Sequence, residues 1–211
     1  MSAKGLQAEP EDYRGEYDDE ERFVGYWHQL SNSIRLKPAS VLEIGIGNGF
    51  YSNYMRNNGY EVVTLDVDKR LMPKVQASVL DLPFKEGGFE LVVAFEVLEH
   101  LPFSRFQRAL SEICHTTNDY AILSLPDYSR TLSVSLDLAG LIVQDLSLPF
   151  LTSFRPQKHR FDGQHYWEIG KKGYGLETVI KTIEESGFLI EKTYRPNKAH
   201  HFRLFVLRKE K

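Results

Sequence analysis

The chain has 211 residues and a formal net charge of −3, from 26 lysines and arginines against 29 aspartates and glutamates. Apolar residues make up 42% of the composition, which suits one globular domain and argues against a disordered, collagen-like or coiled-coil chain. The balanced charge also disfavours a nucleic-acid partner, because such proteins usually carry a basic surface. One basic segment exists, residues 192–211, and a solvated edge strand explains it equally well.

The composition also bears on the cellular compartment. Cys114 is the only cysteine, so no disulfide can form within the chain and a cytoplasmic location is expected. The acidic N-terminal residues contain no apolar stretch of the secretory type. The longest mostly apolar stretch, residues 132–151, is interrupted by Asp137, Gln144 and Asp145, so we expect no membrane span.

Short continuous apolar runs predict strands that are buried on both faces of a parallel sheet. Helical spacing of apolar residues lies between and after these runs, at 103–114 and 176–183. The alternation predicts an α/β fold, with a doubly wound parallel sheet and helices on both faces. The apolar runs are 41–44, 61–65, 89–95 and 120–125.

Two segments depart from this alternation. The runs 188–194 and 201–207 are separated by a short segment that contains the turn-forming residues 195–199, which predicts an antiparallel hairpin at the C-terminus. Residues 127–173 show no clean alternation and are too many for a plain loop. We therefore expect them to form an inserted cap that contacts a substrate.

A glycine-rich loop follows the first apolar run. Gly45, Gly47 and Gly49 allow sharp turns and bring backbone N–H groups close to a ligand, although a purely structural turn is the alternative. Phe50 stands where the dinucleotide-binding fingerprint requires a small residue, which disfavours a nicotinamide cofactor. Glu43 interrupts the apolar run and needs a partner, for which the ammonium group of a ligand is one candidate.

Two aspartates follow predicted strands. Asp66 ends the second apolar run, where a carboxylate can accept hydrogen bonds from the two hydroxyls of a ribose. Its alternative role is to cap the turn at 67–69. Asp81 is predicted to end a third strand, where it would accept from an adenine amino group or simply form a turn.

Four segments resemble, in order and spacing, successive motifs of class I S-adenosylmethionine-dependent methyltransferases, especially the type-11 or ubiquinone-biosynthesis-like group. The resemblance covers residues 41–125 and implies a Rossmann-like, seven-stranded, mostly parallel sheet closed by the antiparallel hairpin. It also implies S-adenosyl-L-methionine as cofactor, with S-adenosyl-L-homocysteine as product. The segments are Glu43–Gly49, Leu65–Asp66, Ala77–Phe84 and Phe89–Leu101.

The resemblance implies roles for individual residues. The glycine loop and Glu43 would lie beside the methionine part of the cofactor, and Asp66 would bind the ribose. Asp81 with Leu82 would lie at the adenine, and the backbone after the fourth strand would lie near the methionine amino group. Glu99 and His100 would shape the start of a helix. The expected cofactor-binding residues are Glu43, Gly45, Ile46, Gly47, Asn48, Gly49, Asp66, Val67, Asp81, Leu82, Phe95 and Glu96.

The expected organisation is one methyltransferase domain with four segments. Within the first of them, the aromatic-rich stretch 13–27 resembles the helix that closes over the cofactor in this family. The segments are an N-terminal helical cap (1–40), a cofactor-binding core (41–126), a substrate cap (127–173) and a C-terminal helix and hairpin (174–211).

The substrate cap supplies the candidates for catalysis. An oxygen or nitrogen acceptor must lose a proton when it is methylated, and a histidine facing the methyl group can serve as general base. His165 is the candidate catalytic residue, and His159, His165 and Trp167 are the candidate substrate contacts. The alternatives are hydrogen bonds within the cap for the histidines and packing for Trp167. No metal site is expected.

Elimination favours a small-molecule acceptor. The Pro-Pro signature of enzymes that methylate nucleic-acid bases is absent after the fourth strand, where Ala94–Val97 stands instead. The single cysteine disfavours methylation of metalloids, and no acidic cluster resembles the metal site of the catechol group. A protein or RNA methyltransferase that docks through 192–211, and a non-catalytic partner protein of the same fold, stay open as alternatives. The sequence does not predict an oligomeric state.

Overall fold

The apolar runs form the centre of a seven-stranded sheet in the computed structural model, which describes residues 9–13, 18–129, 131–138, 141–149 and 156–210. The predicted segments 1–40, 127–173 and 174–211 therefore lie partly outside the described residues. The strands are β1 (Ser40–Ile44), β2 (Glu61–Asp66), β3 (Val75–Gln76), β4 (Phe89–Phe95), β5 (Thr117–Pro126), β6 (Thr131–Leu138), β7 (Leu141–Pro149), β8 (Phe188–Tyr194) and β9 (Phe202–Lys209).

The strand order in the large sheet is β3-β2-β1-β4-β5-β9-β8. Pairing is parallel from β3 through β5, whereas β9 runs antiparallel to both β5 and β8. The central strands are buried on both faces, which is why their sequences are continuously apolar. The structure thus confirms the predicted fold class, including the C-terminal antiparallel hairpin.

Helices cover both faces of this sheet. Leu30 and Met55 pack against one face, and Leu110 and Ile183 pack against the other, each within a separate apolar cluster. The first helix begins where the Asp19 carboxylate accepts a hydrogen bond from the backbone of Arg22 at 2.8 Å. The helices are α1 (Glu20–Leu36), α2 (Phe50–Asn57), α3 (Phe106–Thr116) and α4 (Leu176–Glu184), with short 3-10 helices at 10–13, 69–71, 98–100 and 103–105.

The third strand differs from its prediction. It ends at Gln76 instead of at Asp81. The intervening chain turns at Ser78, whose carbonyl accepts from the Asp81 N–H at 3.0 Å and whose hydroxyl accepts from the Leu80 N–H at 3.2 Å. These local bonds replace sheet pairing, so the prediction that Asp81 ends a strand was wrong.

After β5 the chain forms a hairpin of β6 and β7 and then returns to the main sheet. Strands β6 and β7 pair with each other in a separate antiparallel ribbon. Further along, Asp127 bridges to Ile169, and the Trp167 ring is completely buried between Phe103 and Phe106. The chain around Trp167 is therefore anchored in the main core.

Within the described ranges, no helix combines the length and apolar character that crossing a bilayer requires.

Candidate active site

A cavity of about 450 Å³ lies at the carboxyl ends of β1, β2 and β4. This edge of an open α/β sheet is where ligands generally bind. The glycine loop forms one wall, and α1 covers the cavity. Gln164 and His165 approach from the segment that follows β7. A second cavity of similar volume lies near Asp119 and Arg208, at the opposite end of β5, and contains none of the predicted site residues.

The three glycines of the loop are required for different structural reasons. All three have positive φ angles, of 79° at Gly45, 50° at Gly47 and 74° at Gly49. A Cβ on Gly45 would lie 2.4 Å from the side chain of Val97, so packing alone requires a glycine there. A Cβ on Gly47 would meet only the ring of Tyr13, at 3.7 Å. Gly47 therefore keeps space open within the cavity wall.

Asp66 connects the end of β2 to the glycine loop. One of its carboxylate oxygens accepts from the Ile46 N–H at 3.0 Å, and the other accepts from the Asp68 N–H at 2.8 Å. Burial raises the pKa of Asp66, while these backbone bonds oppose the rise. The carboxylate therefore caps a turn, as its alternative interpretation proposed, and also lines the cavity.

Glu43 lies in the cavity wall with only 3% of its surface exposed. Burial raises the pKa of this carboxyl to about 8, although a hydrogen bond from Ser52 opposes the shift. Its Oε2 atom has no hydrogen-bond partner among the described residues. A buried oxygen of this kind suits a cationic group on a ligand.

The N-terminal helix is tied to the glycine loop by polar and aromatic contacts. The Asn48 amide donates to the Tyr26 hydroxyl at 2.9 Å and to Asp18 at 3.1 Å. The Tyr26 ring stacks on Phe50, with centroids 4.2 Å apart. Tyr13 lies over the same loop. These contacts place an aromatic cover over the cavity.

The carboxyl end of β4 supplies Phe95 and Glu96 to the cavity. Glu96 has a φ of 52°, which is uncommon for a residue other than glycine. Its backbone N–H donates to the Ser124 hydroxyl at 3.0 Å. Burial raises the pKa of the Glu96 carboxyl, while a hydrogen bond from Ser124 opposes the rise.

His165 lines the cavity and contacts a buried glutamate that lies outside the lining. The Nδ1 atom of His165 lies 3.1 Å from Oε1 of Glu168, whose side chain is 7% exposed. His159 approaches the other Glu168 oxygen at 3.5 Å and contacts the His165 carbonyl at 2.8 Å. His165 lines the cavity, and His159 lies behind it.

Several predicted residues lie outside the cavity lining. Trp167 is fully buried, and its Nε1 donates to the Leu101 carbonyl at 3.1 Å, so it packs the core, as the alternative interpretation proposed. Asp81 is exposed in its turn, and Leu82 is buried beneath it. Val67 is 52% exposed, and Gly49 caps α2.

The sequence prediction missed lining residues from distant segments. Arg22 and Gln29 come from α1, Tyr51 from α2, and His201 from the turn before β9. His201 also pairs with Glu21 at 3.1 Å. The aromatic pattern of α1 indicated a covering helix, but no local signal indicated which of its polar residues face the cavity.

The comparisons with known proteins agree with this geometry. Residues 42–123 match the family model described as a methyltransferase domain. A tRNA U34 carboxymethyltransferase of Pseudomonas aeruginosa is 33% identical over 108 residues, covering 43% of this chain and 34% of that protein. An uncharacterized methyltransferase of Synechocystis is 29% identical over 123 residues, covering 53% of this chain and 56% of the relative. The first match thus spans about a third of the curated relative's length.

Solved structures share the fold at low sequence identity. The 1,6-didemethyltoxoflavin-N1-methyltransferase of Burkholderia thailandensis, with bound 1,6-didemethyltoxoflavin and S-adenosylhomocysteine, superposes with a TM-score of 0.61 at 15% identity. That match covers 91% of this chain and 80% of the other. Magnesium protoporphyrin IX methyltransferase of Synechocystis, with bound S-adenosylmethionine, gives 0.60 at 14% identity over 95% and 89% of the two chains.

Proposed function

We propose that the chain is a class I S-adenosylmethionine-dependent methyltransferase that methylates a small-molecule acceptor by direct in-line transfer. The observation that carries the proposal is the cavity itself, where the glycine loop, Glu43 and Asp66 meet at one sheet edge beneath an aromatic cover. When bound, S-adenosylmethionine would supply a methyl group on a sulfonium, with a neutral thioether as leaving group.

The residues present fit such a ligand. The open space beside Gly47 accommodates a ligand close to the backbone, and the partnerless oxygen of Glu43 suits an ammonium group. Asp66 lines the cavity with a carboxylate whose orientation is fixed by two backbone N–H groups. We assign the ligand's amino acid part to the Glu43 side of the cavity and its ribose to the Asp66 side.

The acceptor is assigned to the side of the cavity formed by Gln164 and His165. Positioning supplies much of the rate in a transfer that needs no covalent enzyme intermediate. The contact with Glu168 orients the His165 imidazole, and a positioned imidazole can help to remove the acceptor's proton. His159 contacts the same glutamate and supports this arrangement from behind.

The basic segment 192–211 favours a small acceptor over RNA, because two of its cationic side chains already have partners within the protein. Arg203 forms an ion pair with the buried Asp127 at 2.7 Å, and the Lys209 ammonium donates to the Thr117 carbonyl at 3.0 Å. Cations held by partners within the protein contribute less to phosphate binding than free ones. The tRNA-modifying relative makes RNA the second candidate, which the assay must include.

Calorimetry with S-adenosylmethionine and S-adenosylhomocysteine tests the cofactor assignment. Gly47→Val should abolish binding because its side chain fills the open space, whereas native affinity in the folded variant would contradict the loop assignment. A labelled-methyl assay on metabolite, peptide and RNA pools then tests the acceptor. Labelling confined to the RNA pool would replace the small-molecule proposal, and binding without transfer to any pool would favour a non-catalytic partner protein.

A further inference from the structure

The ribbon formed by β6 and β7 has two chemically different faces. Because successive residues of a strand belong to opposite faces, the cross-strand pairs alternate between them. On one face Ser133 pairs with Ser147, and Asp137 pairs with Ile142. On the other face every described pair joins two apolar residues. These apolar pairs are Leu132 with Leu148, Val134 with Leu146, Leu136 with Val143, and Leu138 with Leu141.

A bulge in β7 keeps the apolar residues on one face. The register shifts between Val134 and Leu136, where β7 contains one residue more than β6. With strict alternation, Val143 and Leu146 would belong to opposite faces, because three positions separate them. The bulge absorbs the extra position, so that both belong to the same face. The ribbon therefore has one continuous apolar face along its described length.

The main domain does not cover this ribbon within the described ranges. Among the described strands β6 and β7 pair only with each other, and no other described strand or helix has an extensive backbone contact with them. The main sheet already has helices on both faces, α1 and α2 on one and α3 and α4 on the other. A two-stranded ribbon is at best marginally stable alone in water. The apolar face therefore needs a partner from outside the main domain.

We propose that the apolar face of the ribbon packs against the same face of a second copy of this chain. A two-fold axis makes two identical faces complementary, and the closed dimer leaves neither of them uncovered. The two ribbons would lie about 10 Å apart, as the two sheets of a β-sandwich do. The segment 127–173, which the sequence predicted as one substrate cap, then has two roles. Its ribbon contacts the second copy, whereas Gln164 and His165 line the cavity.

The area of the apolar face is sufficient for a stable dimer. Complete burial of a leucine or valine side chain removes roughly 60 to 120 Å² of apolar surface from water. The eight apolar residues of the four pairs, counted in both copies, would then bury roughly 1,000 to 1,900 Å² in total. Stable protein–protein interfaces bury about 1,200 to 2,000 Å², whereas incidental crystal contacts mostly bury less than about 800 Å². The ribbons alone can therefore hold two copies together.

The charges of the ribbon favour a protein partner over a lipid surface. Residues 131–149 include two aspartates, Asp137 and Asp145, and no lysine or arginine. Segments that bind membrane surfaces usually carry lysine and arginine, which anionic lipids attract. Asp137 belongs to the polar face, so the apolar faces of two copies can meet without it. A second copy therefore fits the ribbon better than a membrane does.

Sedimentation velocity on the untagged full chain, over a series of protein concentrations, measures the association. We expect the wild-type chain to dimerise. Val134→Lys places a charge within the apolar face of both copies and should weaken dimerisation by about 100-fold or more. Ser133→Lys is the matched control, because it adds the same charge at the neighbouring position, on the polar face. The control should leave the dissociation constant of the dimer unchanged.

Hydrogen exchange provides a second measurement, which needs no variant and so keeps the test decisive if Val134→Lys disturbs the ribbon itself. In the wild-type chain, the backbone amides of β6 and β7 should exchange slowly where the dimer forms and faster on dilution. The amides of β4, at the centre of the main sheet, should exchange equally slowly at both concentrations. Ribbon amides whose exchange does not depend on protein concentration would overturn the proposal.

Three results of the sedimentation experiment and its companion assay would also overturn the dimer. The first is a wild-type chain that stays monomeric at every concentration. The second is a dimer that Val134→Lys does not weaken, which would place the interface elsewhere. The third is a monomer that binds vesicles of phosphatidylglycerol and phosphatidylethanolamine and loses this binding in Val134→Lys, which would assign the face to a membrane. The inference does not rest on the proposed function, since a monomer that binds S-adenosylhomocysteine would overturn the dimer alone.

Discussion

The two sides of the cavity are built in different ways. The centre of the cofactor side comes from one stretch of chain, residues 43–66, in which the glycine loop and Asp66 are fixed largely by backbone hydrogen bonds. The acceptor side depends on side chains from distant segments, with His100 meeting His165 at a ring distance of 5.2 Å. A backbone-built site depends on local sequence, whereas a side-chain site depends on the packing that brings its segments together.

The largest effect is expected from the packing that anchors the acceptor side. Trp167→Ala removes a ring that is 0% exposed and lies 4.8 Å from Phe106, so it should lower the free energy of unfolding by about 3 to 5 kcal/mol. Urea denaturation measures this loss. Phe161→Ala removes an aromatic ring from the same segment that is 53% exposed, and it should cost less than about 0.5 kcal/mol. Equal costs would show that the segment is not anchored through Trp167.

Glu43 predicts a pH dependence of stability on the cofactor side. Its folded-state pKa of about 8 lies above the ordinary value of 4.5, so the folded protein holds this proton more tightly than the unfolded chain. The associated stability is present below pH 4.5 and is lost as the pH rises towards 8. Each pH unit in that window costs about 1.4 kcal/mol.

Glu43→Gln removes this titration and keeps the shape of the side chain. The variant should gain stability relative to wild type as the pH rises, by on the order of 3 kcal/mol near neutrality. Thermal or urea unfolding at pH 5, 6.5 and 8 measures the difference. A constant difference across these pH values would mean that Glu43 titrates normally in the folded protein.

The sequence signals of the cofactor side are local. The apolar runs of β1, β2 and β4 identified buried strands, and Glu43 stood out as an acid within one of them. Asp81 was misplaced because local hydrogen bonds to Ser78, which no apolar pattern reveals, turn the chain away from the sheet.

The acceptor side was predicted less well because its contacts join distant residues. His165 was singled out by residue type, but its partner Glu168 and its approach to His100 depend on tertiary packing. Trp167 illustrates the same limit, since an aromatic residue in a suspected binding segment can face either the ligand or the core. The contacts of its ring with Phe103 and Phe106 show that Trp167 faces the core.

His165→Ala separates the two sides of the cavity functionally. The affinity for S-adenosylmethionine should stay nearly native, because the residue belongs neither to the glycine loop nor to the ends of β1 and β2. Methyl transfer should fall by about 100-fold or more if the imidazole removes the acceptor's proton. Calorimetry and a labelled-methyl assay measure the two effects. A parallel loss of affinity and turnover would place His165 in the cofactor pocket or the folding core.

The smallest of these effects is expected from Asp66→Ala, which tests the cofactor side without touching the acceptor side. Loss of a charged acceptor for ribose hydroxyls should weaken S-adenosylmethionine binding by roughly 1.5 to 3 kcal/mol. Asp66→Asn should lose part of this energy, because its single oxygen can still accept from the Ile46 N–H that positions the loop. Asp81→Ala is the matched control, since its exposed turn lies outside the cavity lining and should leave affinity unchanged. If Asp81→Ala weakened binding while Asp66→Ala did not, the adenosine moiety would extend towards the turn at Ser78 instead of resting on the end of β2.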